Sequence, residues 1–200
     1  PKDEEYGFRL QGVEVGFKYN FLSPAKDDFG LSLLTTIEYG RLDIHSGQDK
    51  KEFEVETSLQ GQKFFMEGQL VWVGNVGLRS AYEKREKIDN LPEDFDWPTD
   101  PEMELNFKLG TGLSYRFAPG WYAGAEAVYD TEFETEVGQE RWSLFAGPSI
   151  HWAGEEWWTT LTYFKQLHGG GESYEGQSDK NLHLIEKTEY EVRLKIGYNF

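Results

Sequence analysis

The feature that most constrains this chain is a side-chain period of two, sustained over unusually long stretches. The last residues read EVRLKIGYNF, where Val192, Leu194, Ile196, Tyr198 and Phe200 alternate with Arg193, Lys195, Gly197 and Asn199. Successive side chains of a β-strand point to opposite sheet faces, so such a segment carries one apolar stripe and one ionic stripe. An α-helix cannot segregate this pattern, because its period is 3.6. The chain is therefore expected to be all-β, and each strand needs an apolar environment on one side and water on the other.

The pattern recurs along the whole sequence. Val13 to Phe21, Phe29 to Tyr39, Phe53 to Leu59, Leu70 to Tyr82 and Leu105 to Phe117 each alternate apolar with polar or small residues. Shorter ladders run through Trp121 to Tyr129, Trp142 to Trp152 and Trp157 to Tyr163, and the last covers Tyr190 to Phe200. This predicts nine strands, several of them well beyond the usual length of about 5–6 residues. Short connections (SPAKDD, MEG, APG, AGEE) alternate with long ones at 45–51, 83–104, 130–140 and 168–181. Alternating short turns and long polar loops, with strands of this length, point to an antiparallel transmembrane β-barrel of the outer-membrane type. Residues 1–200 read as a single domain of that kind.

The aromatic residues support the same reading. YNFLSPAKDDF, KFFMEG, YRFAPGWY, HWAGEEWW and the terminal YNF gather at the short turns. Tyr39, Tyr82, Tyr129 and Tyr190 form a sparser set near the long connections. Aromatic rings concentrate where a membrane meets water. In a soluble barrel they would have no reason to collect at turns. A mean hydropathy of −0.66 does not count against this reading, because half of every strand would face a wet lumen. No apolar run is long enough for a transmembrane helix. There is no Cys, so disulfides and thiolate metal sites are excluded. The net charge of −16 argues against nucleic acid binding through phosphates. Phe200 resembles the terminal signal by which bacterial outer-membrane proteins reach the barrel assembly machinery. The expected surroundings are outer-membrane lipid and lipopolysaccharide.

Nine is an odd number, whereas bacterial single-chain barrels have even strand counts. The expectation is that the nine belong to a barrel of about twelve, with N-terminal strands lying outside this sequence. EEYGFRLQGVEVGFKYNFLSPAKD, LPEDFDWPTDPEMEL, GTGLSYRFAPGW, ETEVGQERW and NLHLIEKTEYEVRLKIGYNF resemble a proteobacterial family of outer-membrane β-barrel proteins with no assigned activity. The resemblance covers essentially all 200 residues. It implies about three further N-terminal strands and supplies no catalytic residues.

Alternation puts many charges on the polar stripe. Glu14, Lys18, Glu38, Glu54, Glu56, Arg79, Lys108, Arg116, Glu126, Arg141, His151, Glu191, Arg193 and Lys195 are the expected pore-lining residues. Acids dominate the early strands and bases the later ones, which would set a transverse field across a pore. The same charges could instead pair and fill the interior. Residues 83–104 hold nine acids and three bases, and 130–140 hold five acids and no base. Within the first, Asp94, Asp96, Asp100 and Glu102 offer hard oxygen ligands suited to Ca²⁺, without EF-hand spacing. No other cofactor is expected.

Two further patterns bear on catalysis. His168-Gly169-Gly170-Gly171 has the look of an oxyanion loop, but no G-x-S-x-G elbow accompanies it, and it reads as a flexible loop. Ser149 and His151 share a face two residues apart, about 7 Å and therefore too far for a direct Ser–His hydrogen bond. Pro148 lies in the same stretch and predicts a local bulge. The chain is expected to be no enzyme. It is expected to be a porin-like channel for passive diffusion of small polar or amphipathic solutes through a charged lumen. The alternatives are a closed structural or adhesive barrel whose acidic loops bind a partner or divalent cations, and an outer-membrane hydrolase.

Overall fold

The computed structural model describes residues 9–42, 48–88, 99–134 and 138–199. They form nine strands: β1 (Gly12–Leu22), β2 (Gly30–Leu42), β3 (Asp49–Phe65), β4 (Leu70–Arg85), β5 (Glu102–Ala118), β6 (Trp121–Glu134), β7 (Gly138–Ala153), β8 (Trp157–Gly170) and β9 (Tyr190–Tyr198). The strands make one antiparallel meander in which each pairs with its sequence neighbours. Among the described residues, β1 and β9 are the two edges, each paired on one side only. No α-helix occurs among the described residues, and none is long and apolar enough to cross a membrane.

The expected count of nine strands is observed, and the strands run longer than the ladders suggested. β3 and β5 reach 17 residues each. β6 and β7 extend to Glu134 and from Gly138, so residues 130–140 are mostly strand, not the acidic loop expected there. The reason is that the acids crowd the sequence without interrupting the backbone ladder: Glu132 and Glu134 keep the parity of the polar stripe, Glu132 partnering Arg141 and Glu134 partnering Gly138. Likewise His168, Gly169 and Gly170 belong to β8 and pair with Leu144, Ser143 and Trp142. The expected flexible glycine loop begins only at Gly171, whose φ of 121° suits glycine.

Register aligns like with like. Leu33, Leu59, Val76, Leu109, Tyr129 and Leu144 are consecutive cross-strand partners on one face. Tyr39, Phe53, Tyr82 and Met103 make another apolar row nearer the long connections. Among the described residues, no segment packs over this apolar face. On β9, Val192, Leu194 and Ile196 are 65, 63 and 64% exposed. Lys63 and Lys165 also project from this face, each 5.5 Å from the ring centroid of Phe65 or Tyr190.

Pro148 does not produce the bulge expected of it. Ladder pairing between β7 and β8 lapses at Gly147 and Pro148 and resumes with Ser149↔Thr162 in the same register as Ala146↔Lys165. The bulge lies a few residues earlier, between Leu144 and Phe145, where β8 carries one extra residue.

The longest described connection, residues 171–189, folds back over the polar face. Leu182, His183 and Gln177 are buried there, together with Phe145, Phe164 and Gln166 of β7 and β8. These residues make the main buried core. The rest of the polar face carries mainly charged, amide and hydroxyl side chains, with Leu34, Val73 and Val128 among them.

Candidate functional site

The polar face is built in rows set by the register. Glu14, Glu38, Glu54, Ala81, Glu104 and Glu134 are successive partners across β1–β6, so five carboxylates lie in one row. The next row toward the short turns contains Glu56, Arg79, Asn106, Glu132 and Arg141. Closer still to the short turns come Asn20, Ser32, Gln60 and Asn75, a row with no charge. Near the turns themselves, Arg116, Tyr122, His151, Thr160 and Lys195 make the last row. Charge therefore varies along the strands as well as around the sheet.

Three arginines and a lysine organise the acid-rich end. Arg79 lies 2.7 Å from Glu54, 3.5 Å from Glu104 and 3.9 Å from Glu52. Lys50 bridges Glu52 and Glu83, both at 2.9 Å. Arg85 contacts Glu83 at 2.9 Å and Glu102 at 3.4 Å. Arg141 holds Glu132, Glu140 at 2.9 Å and Glu186 at 2.8 Å. Each guanidinium has a planar fork of donors, which lets one cation serve several carboxylates.

The expected pore-lining residues all lie on this face, but in different roles. Glu54, Arg79, Arg141, Glu191 and Arg193 are ion-paired, the last two with each other. Arg193 also stacks 4.9 Å over the Phe164 ring. Glu126 accepts a 2.9 Å hydrogen bond from Thr162. His151 Nδ1 lies 2.7 Å from Thr160 Oγ1, and the ring packs beside Tyr122 and Trp158, so the histidine is tied to a threonine across the ladder and not to Ser149. Glu14, Lys18, Glu38, Glu56, Lys108, Arg116 and Lys195 make no salt bridge among the described residues.

Of the four expected Ca²⁺ ligands, only Asp100 and Glu102 are among the described residues. Asp94 and Asp96 lie outside the described residues, as does Phe200. Asp100 is exposed in the 86–101 connection, and Glu102 is on β5 facing Arg85. Among the described residues, Glu104, Glu132 and Glu134 bring carboxylate oxygens within 4.8 Å of one another. Arg79 and Arg141 already compensate two of those three carboxylates.

A family model matches residues 1–200 from end to end. The chain belongs to the family of unknown function DUF6662. No curated protein and no solved structure matches it. DUF6662 membership therefore identifies the chain's relatives without naming an activity, and the site must be read from its own residues.

Several important groups of this DUF6662 chain were invisible to a search for alternation. Lys50, Glu83, Arg85, Glu104, Asp130 and Glu132 stand in stretches so polar that they read as loops. Their signal was present in a weaker form, since each falls on the same parity as a neighbouring ladder's polar stripe. Gln166, His183, Glu186 and Lys187 carried no signal at all, because their roles arise from the fold of the 171–189 segment.

Proposed function

We propose that the chain forms the wall of a porin-like channel in a bacterial outer membrane, passing small polar or amphipathic solutes by diffusion. One observation carries this reading. The sheet exposes a continuous, nearly uncharged apolar face along strands of up to 17 residues, and gathers its ionic side chains on the opposite face. Water would penalise the first face, and lipid the second. A bilayer with a wet interior on the other side satisfies both. Lys63 and Lys165 fit this arrangement, because each lies against an aromatic ring and a long stem lets its ammonium reach the headgroups.

In this reading the unpaired edges of β1 and β9 are satisfied by closure into a barrel of about twelve strands, since lipid offers backbone groups no partner. The row of five glutamates would lie near the external mouth and favour cations, and Arg116 and Lys195 near the periplasmic mouth. Nothing in this mechanism requires a catalytic group.

A second reading is favoured by a specific observation. The salt-bridged rows and the inward-folded 171–189 segment occupy the polar face, which is what a closed structural barrel would show. Reconstitution into a planar bilayer separates the two. Stepwise conductance supports the channel; a tight bilayer at all applied voltages supports the closed barrel.

A further inference from the structure

We propose that residues 171–189 form an acid-released latch on the polar face, with Gln166 as its catch and His183 as its trigger. The catch is well defined. Gln166 is 1% exposed, and its amide is saturated by the segment. Its Oε1 accepts from the His183 N–H at 2.6 Å, and its Nε2 donates to the carbonyls of His183 and Thr188 at 3.0 and 3.1 Å. Beside it, the Gly169 N–H donates to the Asn181 carbonyl at 2.6 Å. A Cβ at Gly169 would lie 2.5 Å from the His183 nitrogen, so glycine is what lets the segment approach so closely. The far end is pinned by Glu186 to Arg141 at 2.8 Å and by Lys187 to Asp130 at 3.8 Å.

The trigger lies inside this arrangement. His183 is 3% exposed, and neither ring nitrogen has a hydrogen-bond partner among the described residues. Neutral imidazole tolerates such a site poorly, and imidazolium tolerates it worse, because both N–H groups then need acceptors. The charged groups facing it are Glu186 and Lys187 from its own segment and Glu140 and Arg141 from β7. Asp130 and Glu132 of β6 stand behind these, taken up by Lys187 and Arg141. β8 contributes only the neutral Gln166 amide. Two acids and two cations leave no net attraction to stabilise a third positive charge. Burial pushes the His183 imidazole below its ordinary range, Arg141 and Lys187 lower it further, and Glu186 and Glu140 only partly offset this. Protonation is therefore coupled to release of the segment.

The latch goes beyond the channel reading and does not depend on it. Only the consequence does: a released segment would widen the lumen and raise conductance below pH 6.

Hydrogen exchange of residues 181–189 in the folded, lipid-reconstituted protein tests the latch without reference to transport. After correction for intrinsic rates, protection should fall about tenfold between pH 7.5 and 5.5, as expected if only the released imidazole titrates near 6.5. His183→Phe keeps a ring in a site that offers the imidazole no partner, and should remain protected over the same range. Equal loss of protection in wild type and His183→Phe would overturn the proposal, as would unchanged wild-type protection at pH 5.5. Conductance measured in parallel keeps the two readings distinguishable, because a non-conducting protein can still show the exchange difference.

Discussion

One side chain, Gln166, closes two hydrogen bonds on a single residue, His183: Oε1 accepts from its N–H at 2.6 Å and Nε2 donates to its carbonyl at 3.0 Å. This pairing mimics a β-ladder and fastens a loop to the polar face of the sheet. Gln166→Leu keeps the volume and removes both bonds, leaving buried backbone groups unpaired at a cost of about 1–3 kcal/mol. The variant should expose Lys180 and Lys187 to trypsin at pH 8 much faster than wild type, with the nine strands intact by circular dichroism. Gly169→Ala should do the same through the close approach to His183.

His183 gives a pH dependence of known sign. Its imidazole titrates lower in the docked protein than when released. Released or unfolded states therefore bind more protons, and stability falls as pH drops through the ordinary histidine range near 6.5. Denaturant midpoints of wild type and His183→Phe should agree in trend at pH 8 and separate below pH 6, with wild type losing more.

Arg79 holds Glu52, Glu54 and Glu104. Arg79→Met should leave Glu54 and Glu104 without their cation, while Glu52 keeps Lys50, and lower stability by about 1–3 kcal/mol. The double variant Arg79→Met with Glu54→Gln should recover part of that loss, measured as a coupling in urea unfolding from lipid vesicles.

Glu14 and Glu38 are partners in the acidic row and make no salt bridge among the described residues. In the channel reading they are available to permeating cations. Glu14→Gln with Glu38→Gln should lower the K⁺ over Cl⁻ permeability ratio by roughly twofold, read from reversal potentials under a salt gradient. Neutralising Arg193, already paired with Glu191, should change it less than neutralising Lys195.

The nine strands and their two faces were legible because alternation is a local property. Val192 and Arg193 face apart wherever their strand sits. Strand ends were less legible. Glu132, Glu134 and Glu140 made their region look like a loop, because apolar periodicity stops where side chains are meant to face other charges. His168 to Gly170 misled for a related reason, since glycines chosen for close approach look the same in sequence as glycines chosen for a flexible turn. The latch was not legible at all. Nothing in QLHGGG or NLHLIEK says that Gln166 and His183 meet; that contact needs the loop to return across the sheet.

The central claim is that the apolar face meets acyl chains and the ionic face meets water. The chain has no native cysteine, so single labels can be placed at Leu194→Cys and Lys195→Cys, adjacent residues on opposite faces of β9. Nitroxide accessibility in lipid vesicles tests the claim directly. The label at 194 should be relaxed by oxygen and shielded from a water-soluble nickel chelate, and the label at 195 should show the reverse. Two labels equally open to the nickel chelate would contradict the account.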